Sequence, residues 1–511
     1  MPGNTDYVRV RTYDSGGSFK TQNTAFYIQD SWDPTDRLNL NLGVRYDKFE
    51  NFNASGKPFT LLDKQFAPRV GFSYDIFGDR KTKFTGFYGR YYLPVAANTN
   101  IRLAGNESFL EDYYYFSGNL TSPTLGQKIG GQNVLSDASN VDPRTLVTQN
   151  LKPQYMDEFI LGLERRFGDS WVARVNGIYR KLSAVLEDSD FRYSITAFCR
   201  TQNLVGCNAT TAPTGTLSNT FPNSVNPSLN GATIGSGGYL LINPGQDVIV
   251  DVDLQNNGTL TKLTIPGALT QLPKAQRIYK AMEFSFERQF DGKWGLNGSY
   301  VLSVSKGNYE GGVKSDNGQD DTGLPQDFDE PGWMDGSYGY LPNHHRHQFK
   351  LWGAYKPTDR ILLGFNGVLA SPRQFGCIGT YPYADGRAAV TSAASWYCSN
   401  PAATGLPLVA GQTPTLTDPG YTAPKLIGRG RSFQSDWLKQ LDLSIQYQVP
   451  IEGLRGLTLR ADAFNVLNTH SGINYNALGD LDNRTASNPN YGKVTTYQAP
   501  RYVRFGISMD F

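Results

Sequence analysis

The chain has 511 residues, with Lys+Arg 48 against Asp+Glu 46 for a formal charge of +2, and its 13% aromatic content includes 30 Tyr and 28 Phe. That length suits about three soluble domains, but charged residues at 18% fall below the roughly 25% of such domains, and near-neutrality excludes a basic field for nucleic acid. Mean hydropathy is −0.43 and no apolar run approaches the roughly 18 residues of a transmembrane helix, so a helical membrane protein is excluded and a large all-β chain remains.

Taken in order, Met1-Pro2-Gly3-Asn4-Thr5-Asp6 lacks the basic and apolar regions of a signal peptide, so a mature form or a fragment is expected. Alternation of period two then recurs along the chain. Leu38, Leu40, Leu42, Val44 and Tyr46 oppose Arg37, Asn39, Asn41, Arg45 and Asp47, as on the two faces of a strand. Strands are expected at 21–32, 37–50, 65–75, 82–94, 153–166, 171–187, 276–290, 294–308, 345–356, 360–373, 435–449, 456–468 and 500–511, with Tyr7–Tyr13 as a possible fourteenth.

The links between these strands alternate in length. Short ones such as Asp33–Asp36, Phe77–Arg80, Gly168–Ser170 and Asp291–Lys293 alternate with long ones at about 51–64, 95–152, 188–275, 309–344, 374–434 and 469–499. Long links are uncommon in compact domains, whereas short periplasmic turns and long extracellular loops mark an antiparallel transmembrane β-barrel. Aromatics near strand ends, among them Tyr91, Tyr92, Trp171 and Trp294, suit interfacial girdles.

At this point the residues resemble a known family, the TonB-dependent outer-membrane receptors, in the Oar-like subgroup. "AFYIQDSWDPTDRLNLNLGVRYD" (Ala25–Asp47) resembles that family's passage through a periplasmic turn. "LRADAFNVLNTH" (Leu459–His470) resembles a late barrel strand, "RYVRFGISMDF" the terminal strand, and Ser305–Lys356 the subgroup's loops. The resemblance implies the last 13 or 14 strands of a plugged barrel of about 22 strands, without plug or TonB box. It implies the outer membrane, ligand capture and energised uptake, no cofactor, and contact with the TonB system only through the missing N-terminal region. A structural or adhesive outer-membrane protein and a plugless diffusion porin are the alternatives.

Candidate site residues follow. The resemblance makes Tyr502, Val503, Phe505, Ile507, Met509 and Phe511 the signal read by the outer-membrane insertion machinery, while the same outward side chains meet lipid. Cys199 with Cys207 and Cys377 with Cys398 lack metal-knuckle spacing, and two local loop disulfides fit an oxidising compartment. Tyr113, Tyr114 and Tyr115 offer stacking surfaces to a sugar or peptide, or cover the barrel mouth. Asp320, Asp321, Asp327 and Asp329 are hard-oxygen candidates for Ca²⁺, and His345 and His347 would share a strand face toward a transition metal. Solvated carboxylates and a loop boundary are the plainer readings. Arg45, Arg69, Arg174, Arg460, Arg504, Asp47, Asp75 and Asp462 would line the lumen, paired with a plug or with one another. No nucleophile–base motif stands out, so catalysis is not expected.

Overall fold

The computed structural model describes residues 7–14, 17–105, 108–119, 122–137, 142–191, 194–195, 198, 201–202, 204, 239–252, 259–320, 323, 325–379, 381, 394–400, 424–451, 456–480 and 487–509. Thirteen antiparallel strands pair in sequence order as one sheet. They are β1 (Thr21–Thr35), β2 (Leu38–Phe52), β3 (Pro58–Asp75), β4 (Thr82–Tyr92), β5 (Tyr155–Phe167), β6 (Trp171–Ser183), β7 (Arg277–Arg288), β8 (Trp294–Gly307), β9 (His347–Thr358), β10 (Ile361–Ala370), β11 (Leu438–Gln448), β12 (Thr458–Phe464) and β13 (Tyr502–Ser508). The short Gly339–Tyr340 strand adds beside β8. All thirteen segments expected from alternation form a wall strand. Tyr7–Asp14 is also a strand, but it pairs with Ser108–Asn119 in a separate three-stranded sheet and is not a fourteenth member of the wall.

Register carries the alternation across the sheet. Leu443, Ala463 and Val503 form one row, and Asp462 pairs with Ser444 and Arg504 in the next. The apolar face is turned outward: Ile28 is 72% exposed, Ile507 75% and Phe505 80%. In a soluble sandwich these side chains would form the core, but here hydrocarbon is their solvent. Rings line this face from strand to strand, with Tyr88 stacked on Phe159 at 4.7 Å and Trp171 edge-on to Trp294 at 6.0 Å beside the short turns.

The short turns are closed by acidic side chains. Asp291 accepts from the Lys293 and Trp294 amides and from Arg288, which together hold its carboxyl below the usual range, the Arg288 bond most strongly. Gly292 beside it adopts φ 92°, a left-handed conformation that a side chain would strain. Asp75, expected in the lumen, instead accepts from the Gly78 and Arg80 amides at 3.0 and 2.7 Å and closes its turn.

The long links are folded rather than open. The one expected at 51–64 shrinks to 53–57 because β2 and β3 run on into the cap, with Phe49, Phe59 and Leu62 buried against Leu103 and Leu146. Others contribute the helix Ala97–Ala104 and the strand pairs Glu187–Asp190 with Tyr239–Ile242, and Val248–Val252 with Thr261–Ile265. The largest buried apolar cluster lies here: Phe191, Leu240, Ile242, Val250 and Ile265 pack with Tyr309, Phe328 and Met334. The protein's core in the usual sense is therefore the cap of loops, and the wall beneath it is a single sheet. At the sheet's edges, β1 and β13 are not paired with each other among the described residues, and both are exposed along nearly their whole length. In lipid each edge needs a strand partner for its N–H and C=O groups.

Candidate ligand-binding cavity beneath the loop cap

The polar face of the wall pairs with itself. Arg180 binds Glu158 across β5 and β6, and Arg174 reaches Glu164 at 2.6 Å and Glu287 at 3.5 Å. Asp462 takes Arg460 and Arg504, each at 2.8 Å, and Arg45 takes Asp47 at 2.8 Å. Of the two partners open from the sequence, other residues of the wall, on the same strand or the next, hold most of these charges. Arg69 is the variation, lying 5.0 Å over the Tyr91 ring.

Where the wall meets the cap, a cavity of about 740 Å³ opens between β4 and β9, lined by Tyr91, Glu158, Arg180, Arg277, Tyr279 and Gln348 and roofed by Gly311 and Gly312. Arg277 is fixed by donating to the Glu310 carbonyl at 2.6 Å. The cavity thus combines aromatic faces with fixed charges of both signs, the pattern of a polar small-molecule site. Sequence reading missed Glu158, Arg277 and Tyr279. Their one signal is a polar or aromatic residue at the loop end of a strand's inward face.

The cap above is locked by buried charge. Asp327, fully buried, receives Lys314 Nζ at 3.0 Å and Arg429 Nη2 at 3.2 Å, while Arg429 also lies 3.5 Å from Asp316. Lys314 donates to the Ala394 carbonyl at 2.7 Å, and the Trp396 ring covers the Lys314 ammonium at 5.6 Å and the Arg429 guanidinium at 4.7 Å. Burial alone would raise the Asp327 carboxyl, but the Lys314 and Arg429 charges more than offset it and hold it below the usual carboxylate range. Asp327 is therefore held as a counter-ion to two protein cations.

Asp320 is exposed and Asp321 lies outside the described residues. The Asp329 carboxyl is raised by burial, then by Asp188. The histidines also part company. His345 Nδ1 meets the Ser371 carbonyl at 2.6 Å, while His347 starts β9, stacks on Tyr300 and bonds its hydroxyl through Nδ1 at 2.9 Å. The Nδ1 atoms of the two rings are thus taken by different partners. His344 accepts from the Ser305 amide at 3.3 Å, and burial, then His345 and Arg346, lower it to about 4. Among the described residues no group of three or more His, Cys, Asp or Glu is placed to hold a metal ion.

Tyr113, Tyr114 and Tyr115 lie on a strand, not a loop. Tyr113 and Tyr115 share the face of Tyr7 and Arg9, with Tyr7 edge-on to Tyr113 at 5.6 Å and Tyr113 donating to Glu111 at 3.2 Å. Cys377 and Cys398 are joined by a disulfide, their Cα atoms 5.8 Å apart, beside Gly479, where a Cβ would strike both sulfurs. Cys199, Cys207 and Phe511 lie outside the described residues. Val503, Phe505 and Ile507 face outward, whereas Tyr502 turns to the other side and stacks on Phe464 at 4.5 Å.

Two expected results arise here. The disulfide closes a loop of 21 residues in sequence separation, so C377S/C398S should weaken the cap by about 3 kcal/mol, read as faster proteolysis of the loops with the strands intact. Equal proteolysis rates would refute it.

Glu187 is buried with neither oxygen hydrogen-bonded, and burial, followed by Asp188, Asp329 and Asp327, raises its carboxyl well above the usual range; Lys314 opposes this. A raised folded-state pKa means that its contribution to stability is present below the unfolded value and lost as pH rises through the folded one. E187Q should thus flatten the loosening of the cap as pH rises above the ordinary carboxyl range. Identical pH profiles of cap proteolysis for E187Q and wild type would contradict this.

The profile of the family described as Outer membrane beta barrel domain matches residues 2–504. Over 524 residues the chain is 24% identical to the TonB-dependent transporter Oar of Myxococcus xanthus, covering 95% of this chain and 42% of that protein. It is 28% identical over 167 residues to the uncharacterized protein YddB of Escherichia coli (strain K12), covering 32% and 16% respectively. The chain thus spans less than half the length of these curated relatives. Similar solved structures include the outer membrane transporter YddB from Escherichia coli, at TM-score 0.47 and 13% identity over 99% of this chain and 50% of that one. Another is the ferripyoverdine receptor of Pseudomonas aeruginosa, at 0.44 and 12% over 96% and 39%. With the family profile spanning nearly the whole chain, and with an outward apolar face on every wall strand, this protein belongs to the outer-membrane β-barrel family, a Gram-negative outer-membrane chain similar to TonB-dependent transporters.

Proposed function

We propose that these thirteen strands are the C-terminal barrel part of a TonB-dependent receptor, which captures a scarce ligand on its folded loops and takes it up through the lumen with energy from the inner membrane. The observation that carries this is the lumen-side cavity roofed by the cap, with Arg277, Arg180 and Glu158 set among aromatic side chains. A diffusion pore has no use for a folded roof over its lumen, and an adhesin none for a polar cavity beneath its outer surface. Two open edges fit a larger closed barrel, whose remaining strands, plug and TonB box belong to the parent protein. In that setting β13 with its outward Val503, Phe505 and Ile507, followed by Met509 and Phe511, is the insertion signal. Tyr113 and Tyr115 add a first contact for ligand, and Cys199 with Cys207 makes a second loop disulfide.

The test compares surface binding in the cold with uptake in warmed cells, using ferric siderophores, cobalamin, oligosaccharides and peptides as probes. One class should bind and be taken up. Deleting TonB should leave its binding and abolish its uptake, and R277A should weaken binding about tenfold. Uptake that persists without TonB would mean diffusion, and no binding of any class together with lost cell adhesion would mean an adhesin. Either overturns the proposal.

A further inference from the structure

The outward face of β5–β8 holds a groove of about 550 Å³ that ligand transport through the lumen does not use. Its floor is one register row, Leu161, Gly177, Met282 and Leu302 on four successive strands. Three of these are large and apolar, and the glycine leaves a trough between them. Backbone geometry does not require glycine there: a Cβ on Gly177 would meet nothing nearer than the Leu161 carbonyl at 3.9 Å.

One row closer to the loops, Lys280 follows Tyr179 in register, its ammonium 5.8 Å from that ring, and Arg346 completes the rim. Lys280 lies on the outward face in the alternation of Met282 and Phe284, and both cations are exposed and line the groove; among the described residues neither has a carboxylate within ion-pair distance. Elsewhere on the wall Arg90, Arg174 and Arg180 are each matched with an acid. Unmatched cations at the loop-side end of an apolar trough complement an anionic head joined to hydrocarbon.

We propose that this groove binds a phosphate-bearing, acylated lipid of the outer leaflet, with its phosphate between Lys280 and Arg346 and an acyl chain along the Gly177 row. The loop side of the barrel faces the outer leaflet, so the groove recruits from that leaflet alone. Such a lipid would brace β5–β8, which also form much of the wall of the ligand cavity.

Native mass spectrometry of the full-length protein in detergent, titrated with diphosphorylated lipid A, tests this. Wild type should retain one lipid through desolvation. K280E/R346E should bind it at least about tenfold more weakly. G177L, which keeps both cations but fills the trough, should lose it as well, and both variants should keep wild-type heat-modifiable mobility as evidence of folding. Dephosphorylated lipid A and inorganic phosphate should each fail to bind. Undiminished binding by K280E/R346E, equal retention of the dephosphorylated lipid, or binding of inorganic phosphate alone would each overturn the proposal. If G177L does not fold, the charge variant decides.

Discussion

R429M should release the loop cap while leaving the barrel strands in place. Arg429 is 1% exposed and lies within ion-pair distance of both Asp327 and Asp316, so its removal leaves two buried carboxylates with Lys314 and the largely buried Arg373 as their cations. Breaking a buried ion pair by taking one partner costs about 3–5 kcal/mol, because the other charge stays in low dielectric. Hydrogen exchange of 309–344 and 425–437 should accelerate strongly, and the amides of β5 to β8 should not change. If exchange of both regions stays at wild-type rates, the cluster is not the lock.

Acid should act in the same direction. Asp327 is depressed in the folded state, so its contribution is present above the unfolded carboxyl pKa and lost as pH falls through the folded value. Glu187, with its raised carboxyl, loosens the cap from the alkaline side, so the cap is most stable between the two limits.

F505R should block assembly into the outer membrane. Phe505 lies on the outward face of β13 in register with Ala461, and a guanidinium there must sit in hydrocarbon or drag water to it. That costs about 2–4 kcal/mol at the bilayer midplane. The register neighbour Arg504 faces the other way and pairs with Asp462 at 2.8 Å, so R504Q should assemble, with at most a small loss. Folding in lipid vesicles, read by heat-modifiable mobility across a urea series, separates the two. Equal midpoints for F505R and wild type would contradict the orientation of β13.

The wall was legible in the sequence because its rule is local. A period-two pattern such as Leu38 to Tyr46, ended by Asp or Gly at a turn, states both that a strand exists and which face meets lipid. The cap was not legible, since its determinants are distant pairings: Arg429 and Asp327 are 102 residues apart, and Glu187 meets Asp329 across a different loop. Asp320 to Asp329 read as an acidic run open to a cation, and only folding shows that Asp327 already has Lys314 and Arg429. The Tyr113–Tyr115 run likewise sat in what read as loop, because its partner strand, Tyr7–Asp14, begins about a hundred residues earlier. Asp75 misled for the opposite reason. Its position in the alternation was right, but a carboxylate at a strand end is taken by the turn amides before it can serve the lumen.

The self-matched charges of the inner wall have a mechanical consequence. Because Glu158, Glu164 and Asp462 are each neutralised by an arginine on the same or an adjacent strand, a body filling the lumen is not needed to balance them. Pulling such a body out would strip no counter-ion from the wall and leave no bare charge behind. In the transporter proposed above, that section of the wall would act as a sleeve with little electrostatic friction, because its three acids stay paired throughout.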